Sequence, residues 1–263
     1  MLGDILIPVL ILGALGIIFG LMLGFASKIF KVERDERIDQ ILEVLPGANC
    51  GGCGFAGCSD FATNVCGGNA KVNGCPVGGK DVADKVAEIM GAEMGNFVKC
   101  STRVLCNGSS DVAKDKYDYD GLMDCFAAEK MGYGHKECSY GCLGYGTCVK
   151  ACKFGAISVK NGVAVVDKEK CTACGQCVEA CPKHIIQIVP DDKKYSILCS
   201  NKDRGPVCKT ACDVSCIGCK ICEKNCESGA IIIESFLSHI DYDKCVGCGI
   251  CMEKCPRKAI KEV

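Results

Sequence analysis

The chain has no tryptophan, and only 6 % of its 263 residues are aromatic. A core with so few rings is thin for the length, so something besides apolar burial must supply part of the folding free energy. Charge of either sign is not in excess: 31 basic and 32 acidic residues leave a formal charge of −1. That balance excludes a nucleic-acid footprint. Histidine is scarce. His135, His184 and His239 are scattered and read as surface or packing residues, although His184 lies near Cys181 and could tune a group bound there. No Gly-x-Gly-x-x-Gly follows a strand-like run, and Gly141 to Gly146 does not fit that frame. No Walker loop, Ser/His/Asp arrangement or His-Glu-x-x-His helix appears either. Such a chain is not expected to transform a bound organic substrate.

What it has instead is cysteine, 27 residues of it, together with 32 glycines. No secretory signal accompanies the thiols. In a reducing compartment, regularly spaced thiols point to metal rather than to disulfides. Cys171-x2-Cys174-x2-Cys177-x3-Cys181-Pro182 and Cys245-x2-Cys248-x2-Cys251-x3-Cys255-Pro256 are both the bacterial ferredoxin run for a [4Fe-4S] cluster. Four stretches end alike, at Cys152, Cys181, Cys226 and Cys255, and each leads into a short β-prone segment such as Ile231-Ile232-Ile233. Each is a ferredoxin half-unit of ligand loop, short helix and strand. In paired half-units the fourth cysteine of one run ligates the other run's cluster. The third and fourth half-units then predict one cluster on Cys216, Cys219, Cys222 and Cys255, and another on Cys226, Cys245, Cys248 and Cys251. The first and second predict Cys152, Cys171, Cys174 and Cys177 for one cluster, and Cys142, Cys148 and Cys181 for the other.

That last set lacks a ligand, because Tyr145 stands where Cys219 stands in the later pair. Cys138, four residues before Cys142, is the expected substitute. The alternative is a thiol beside a three-iron or labile cluster. Cys212 holds the same place before Cys216, where no ligand is missing. A further tetrad, Cys50-x2-Cys53-x4-Cys58-x16-Cys75-Pro76, lies earlier among glycines. Four thiolates also suit zinc, but the ferredoxin runs downstream favour iron–sulfur. Five sets of four would use 20 of the 27 cysteines. Cys66, Cys100, Cys106, Cys125, Cys199, Cys208 and Cys212 remain, and read as buried or partly exposed thiols. A sixth cluster drawn from Cys100, Cys106, Cys125 and Cys138 matches no recognisable run.

Residues 5–26 are uncharged and rich in Ile, Leu, Val, Gly and Met. As a helix they would reach roughly 33 Å, against a hydrocarbon core of ~30 Å. No basic residue precedes them, unlike a signal peptide, so a membrane anchor is expected. Lys28, Lys31, Arg34 and Arg37 follow the span, which puts the rest of the chain on the cytoplasmic side of the cell membrane. Gly16, Gly20 and Gly24 share one helix face and suit a packing partner. Residues 31–45 and 81–90 read as helices. The expected fold is α+β: a transmembrane anchor over 1–27, a small helical four-cysteine domain over 28–95, and two tandem two-cluster ferredoxin-like modules. These modules cover 96–190, with an irregular lead-in over 96–137, and 191–263.

This order resembles the B-subunit family of the Rnf complex, the ion-translocating ferredoxin:NAD oxidoreductase. The resemblance covers nearly the whole chain. It rests on the tetrad of Cys50, Cys53, Cys58 and Cys75, on Lys136-x-Cys138-Ser-Tyr-Gly-Cys142-Leu-Gly-Tyr-Gly-Thr-Cys148, and on Cys171-Thr-Ala-Cys174-Gly-Gln-Cys177. The four-cysteine domain alone is similar to one in corrinoid iron–sulfur proteins, and the part beyond residue 195 is an extension that shorter members lack. The resemblance implies that soluble reduced ferredoxin donates low-potential electrons to this chain. The chain would pass them to membrane subunits that carry flavins and the NAD site, with sodium or proton movement located elsewhere. Two other readings remain at this stage: an electron-transfer component of a hydrogenase or formate dehydrogenase, and a zinc-stabilised scaffold.

Overall fold

The computed structural model describes residues 2–29 and 35–263, with the side chains of the first helix described over 10–26 and at Lys28. That helix, α1 (Leu2–Ile29), runs for 28 residues. Its side chains over 10–25 all point outward with no element packed on them. Among the described residues no helix is long and apolar enough to cross a membrane.

Asp35 caps α2 (Glu36–Val44) by accepting a hydrogen bond from the Arg37 backbone N–H at 2.9 Å, and Glu36 and Asp39 suit the positive end of the helix. The helix expected over 31–45 therefore begins at Glu36, while residues 31–34 lie outside the described residues. Two more helices, α3 (Cys58–Cys66) and α4 (Gly79–Met90), pack on it. Their shared core consists of Ile41, Leu45, Phe61, Ala62, Val65 and Val86. Cys53, Cys58 and Cys75 lie against that core.

The remaining chain is one pattern used twice. The first copy contains β1 (Cys100–Val104), α5 (Cys125–Lys130), α6 (Thr147–Ala151), β2 (Ile157–Lys160), β3 (Val163–Val166), α7 (Gln176–Glu179) and β4 (Ile186–Pro190). The second contains β5 (Tyr195–Ile197), α8 (Gly205–Ala211), α9 (Ile221–Lys224), β6 (Ile231–Glu234), β7 (Leu237–Ile240), α10 (Ile250–Glu253) and β8 (Ile260–Glu262). In each copy the first strand pairs antiparallel with the last, β1 with β4 and β5 with β8. The two middle strands form a hairpin. The pairing continues into the following loops by matching bonds: Leu105 N–H to Ile185 O at 2.7 Å, and Leu198 N–H to Ala259 O at 2.7 Å. Core residues such as Ile157, Val163, Ile185 and Ile186 sit between the strands and the cysteine loops in the first copy. Ile197, Ile231 and Ile260 do so in the second.

Two close approaches join the parts. Gly52 lies so near the Cys174 backbone that a Cβ there would stand 2.7 Å from its carbonyl oxygen. Gln176 Nε2 donates to the Cys50 carbonyl at 2.5 Å across the same contact. Within the second copy, Gly218 has φ +62, and a Cβ would meet the Phe236 carbonyl at 2.6 Å. Both the backbone conformation and the space there require glycine. Gly218→Ala is expected to cost on the order of 2 kcal/mol, from left-handed strain plus the clash. It should also lower the melting temperature of the loaded protein, as measured by circular dichroism. An unchanged melting curve would mean that this turn is not built as described.

Candidate metal centres

Each of the four ligand loops in the repeated part has the same backbone device. Two residues after the first cysteine of the loop the chain turns left-handed, at Gly144, Ala173, Gly218 and Gly247. A short helix then begins, with the last cysteine of the loop as its second residue: Cys148, Cys177, Cys222 and Cys251. Such turns aim successive N–H groups to one side, where a thiolate-bound group can accept from them.

The thiols ring hollows. Cys152, Cys171, Cys174 and Cys177 surround one of about 300 Å³. Thr102 donates its backbone N–H to Cys171 Sγ at 3.4 Å, and its Oγ1 stands 3.7 Å from Cys177 Sγ. Ala156 N–H reaches Cys152 Sγ at 3.4 Å. In the second copy Cys216, Cys219, Cys222 and Cys255 surround a hollow of about 340 Å³. Ser238 Oγ lies 3.5 Å and 3.4 Å from the sulfurs of Cys216 and Cys222. These are the two sets that the ferredoxin spacing groups together.

A third hollow, of about 390 Å³, is lined by Cys142, Cys148 and Cys181, and the fourth cysteine there is Cys125. The expected fourth partner, Cys138, lies elsewhere, with its sulfur 3.4 Å from Asn201 Nδ2. The reason is the loop that carries Cys125. Asp124 caps α5 by accepting from the N–H groups of Phe126 and Ala127. Its other oxygen accepts from Thr147 Oγ1 at 3.0 Å, and Thr147 Oγ1 accepts from Cys125 N–H at 2.9 Å. Lys183, two residues past Cys181, pairs with Glu129 and donates to the Tyr133 carbonyl at 2.9 Å. Tyr145 packs against the small cluster of Cys125, Ala128 and Leu143. Its hydroxyl meets His135 Nδ1 at 2.8 Å, and its ring packs on Tyr119 at 5.3 Å. Nothing in local spacing marks Cys125, because a loop fold carries it into place.

The other two expected sets show in the surroundings of their sulfurs. Burial raises the Cys226 thiol, but bonds from Ser228 Oγ and the N–H groups of Ala230, Ile231 and Ser228 outweigh it and hold the thiol below its usual range. Cys245 and Cys248 lie close enough to Cys251 to add to the burial that pushes it up to about 11. Near the N-terminus, burial raises Cys75, and the neighbouring Cys53 and Cys58 add to the effect. Asn49 Oδ1 accepts from Cys58 N–H at 2.8 Å. Of the remaining cysteines, Cys66 packs on the helical core, Cys100 sits on β1, and Cys208 is fully buried with its sulfur 3.2 Å from the Asp203 carbonyl. Cys106, Cys199 and Cys212 share a separate hollow with Cys138.

Among the described residues, no three His, Cys, Asp or Glu side chains converge on a point that one ion could fill. A tetrahedral zinc would need sulfurs about 2.3 Å from a common centre. All-thiol donors spread round a hollow, with N–H groups aimed at the sulfurs, fit a polynuclear iron–sulfur group. Burial pushes the Cys148 thiol up to about 12 and the Cys142 thiol up to about 11, which keeps these two neutral as free thiols. Loading must therefore displace protons.

Comparison with known proteins agrees with this donor chemistry. An Fe-S cluster family model matches residues 45–77, and a 4Fe-4S binding domain model matches residues 164–187 and 238–261. The B subunit of the Na(+)-translocating ferredoxin:NAD(+) oxidoreductase complex of Acetobacterium woodii is 48 % identical, over 93 % of this chain and 74 % of its own length. The B subunit of the ion-translocating oxidoreductase complex of Methanosarcina acetivorans is 45 % identical, over 95 % of this chain and 96 % of its own. The chain belongs to the Rnf B-subunit family. Its counterpart in the proton-translocating complex of Clostridium ljungdahlii is 38 % identical over 91 % of this chain. An Rnf B subunit with 4Fe-4S domains is an iron–sulfur electron-transfer component of an oxidoreductase complex, and the reading of a zinc scaffold falls away.

Cys125→Ser is expected to remove one cluster, about four iron and four sulfide per chain, as measured by colorimetric assay after anaerobic purification. Unchanged iron would return the fourth place to another residue.

Proposed function

We propose that this Rnf B subunit takes low-potential electrons from soluble reduced ferredoxin and relays them one at a time to the flavin- and NAD-binding subunits of its membrane complex. Five [4Fe-4S] clusters carry the relay in this reading. They sit on Cys50, Cys53, Cys58 and Cys75; on Cys152, Cys171, Cys174 and Cys177; on Cys125, Cys142, Cys148 and Cys181; on Cys216, Cys219, Cys222 and Cys255; and on Cys226, Cys245, Cys248 and Cys251. When bound, such clusters supply one-electron chemistry with little reorganisation. The protein's own residues set their surroundings: Thr102, Ala156, Ala164 and Ser238 direct hydrogen bonds at the sulfurs. The observation that carries the reading is the seating of Gly52 on the Cys174 backbone, which puts the N-terminal tetrad's loop against a ferredoxin-type loop.

Electrons enter at the C-terminal module and leave through the N-terminal set beside the membrane. Stopped-flow mixing of the full chain with reduced ferredoxin tests the direction. Cys248→Ser should slow ferredoxin oxidation at least tenfold, while Cys53→Ser should leave its initial phase unchanged. The reverse pattern would place the entry at the N-terminal domain.

The reading also has α1 crossing the membrane once, with the metal-binding domains cytoplasmic. Support comes from the uncharged apolar run over residues 5–26, the exposed apolar side chains over residues 10–25 and the basic residues that follow. No charge lies between residues 5 and 26 to carry an ion, so ion movement belongs to other subunits. Deleting residues 2–29 should move the chain from the membrane pellet to the soluble fraction. Retention in the pellet without other subunits of the complex would contradict the anchor.

A further inference from the structure

We propose that Cys106, Cys138, Cys199 and Cys212 hold a further [4Fe-4S] cluster at the junction of the two ferredoxin-like modules. The inference rests on the electron-relay reading above and extends it. The four cysteines line one hollow of about 370 Å³, together with Gly108, Lys136 and Leu198. A methyl group at Gly108 would stand 3.6 Å from the sulfurs of both Cys106 and Cys212, so these two thiols flank one backbone position. Cys106 Sγ accepts from the N–H groups of Gly108 and Cys142 at 3.4 Å each, and Cys138 Sγ from Asn201 Nδ2 at 3.4 Å. Such donors stabilise thiolate sulfur bound to iron.

The internal repeat makes the set regular. Cys106 follows Leu105 just after β1, and Cys199 follows Leu198 just after β5. Cys138 precedes the first loop cysteine of its copy, Cys142, by the same four residues that separate Cys212 from Cys216. Each module thus contributes one thiol after its first strand and one before its first ligand loop. The two Leu-Cys segments bond to each other across the junction: Asn107 N–H to Leu198 O at 3.1 Å, and Ser200 Oγ to Leu105 O at 2.8 Å. Neither half holds enough thiols alone, which is why no contiguous run reveals the site.

The charge around the hollow points the same way. Lys136 is buried, and its ammonium donates to the carbonyls of Gly108 at 2.8 Å and Gly162 at 3.0 Å. No carboxylate is among its ion-pair partners in the described residues. A buried cation is costly without a nearby negative charge. A cluster bound by four thiolates is an anion, and would supply it. Single zinc is the rival occupant, but these thiols do not converge on one ion. None of the four is in a disulfide.

Position gives the site its role. Cys106 touches the backbone of Cys142, part of the first module's set. Cys199 packs in one apolar cluster with Cys216 and Cys255, part of the second module's set. A cluster bound there would take one electron from the second module's set and pass it to the first's, returning to its starting charge.

The test is iron, sulfide and zinc per chain of the anaerobically purified full-length protein, with native mass spectrometry of the wild type to count clusters directly. We expect about 24 iron and 24 sulfide, four of each per cluster. The double variant Cys199→Ser/Cys212→Ser should fall to about 20, and Cys100→Ser should stay at the wild-type value. A wild type at about 20 iron with full sulfide, a double variant equal to wild type, or one zinc per chain would each overturn this site while leaving the relay intact. Absence of sulfide altogether would overturn both. The wild-type mass keeps the site falsifiable if the double variant does not fold.

Discussion

Thiols that must share a small hollow oppose one another as soon as they ionise, and the rest of the fold is arranged around that repulsion. Cys148 shows it. Burial does most to push its thiol up to about 12, and the neighbouring Cys142, Cys125, Cys181 and Cys177 add to the effect. An iron–sulfur group held by Cys125, Cys142, Cys148 and Cys181 would displace the thiol protons and offset the repulsion, which would couple its binding to folding. The thin apolar core fits that account. Buried side chains such as Ile157, Ile186, Ile231 and Ile260 share their apolar clusters with ligand-loop cysteines, so part of their packing depends on the loops being held.

The repeat explains how two modules with nearly the same strand pairing come to differ. Both use a first strand bonded to the last, a middle hairpin, and left-handed turns after the first cysteine of each ligand loop. The second copy keeps Cys219 in place. The first copy has Tyr145 there, and the aromatic ring takes up a position against Tyr119 and His135 instead. The fourth thiol at that hollow comes from Cys125 at the start of α5, in a segment between first strand and ligand loop that is longer than in the second copy. Asp124, Thr147 and Lys183 fasten that insertion over the hollow. The irregular lead-in before Lys136 thereby acquires a structural purpose.

Legibility in the sequence follows locality. The ferredoxin runs are readable because their spacing is a local geometric requirement, and Cys152 with Cys171, Cys174 and Cys177, or Cys216 with Cys219, Cys222 and Cys255, meet as the crossing rule groups them. The helices of the small domain are readable from apolar spacing, and α4 begins at Gly79, two residues before the stretch that the pattern marks. Cys125 is not readable, because its place depends on a cap and a hydroxyl relay formed with residues far along the chain. Cys138 is misplaced by its spacing, which suggests the nearest vacancy, whereas its sulfur faces Asn201 at the junction with the second module. Its symmetry with Cys212 is visible in sequence, but that symmetry has meaning only once β1 and β5 bring Cys106 and Cys199 to the same place.

On the proposed ligand sets, the contacts between loops arrange the sites in a single unbranched order. The Cys50 loop touches the Cys174 loop through Gly52 and Gln176. The Cys171–Cys181 run joins the two sets of the first module. Cys142 touches Cys106, Cys199 packs with Cys216, and Cys222 lies near Cys251. No second route appears among these contacts. In an unbranched row each site must both accept and release every electron, so the potentials along it are mutually constrained. A donor as reducing as ferredoxin can drive the row only if no site between its ends holds the electron too tightly. The hydrogen bonds from Thr102, Ala156, Ser238 and Asn201 to sulfur, together with the Lys136 ammonium, are the levers by which this chain meets that condition. They lie beside the sulfurs rather than at the surface, so they act on potential without altering how the chain docks to its neighbours.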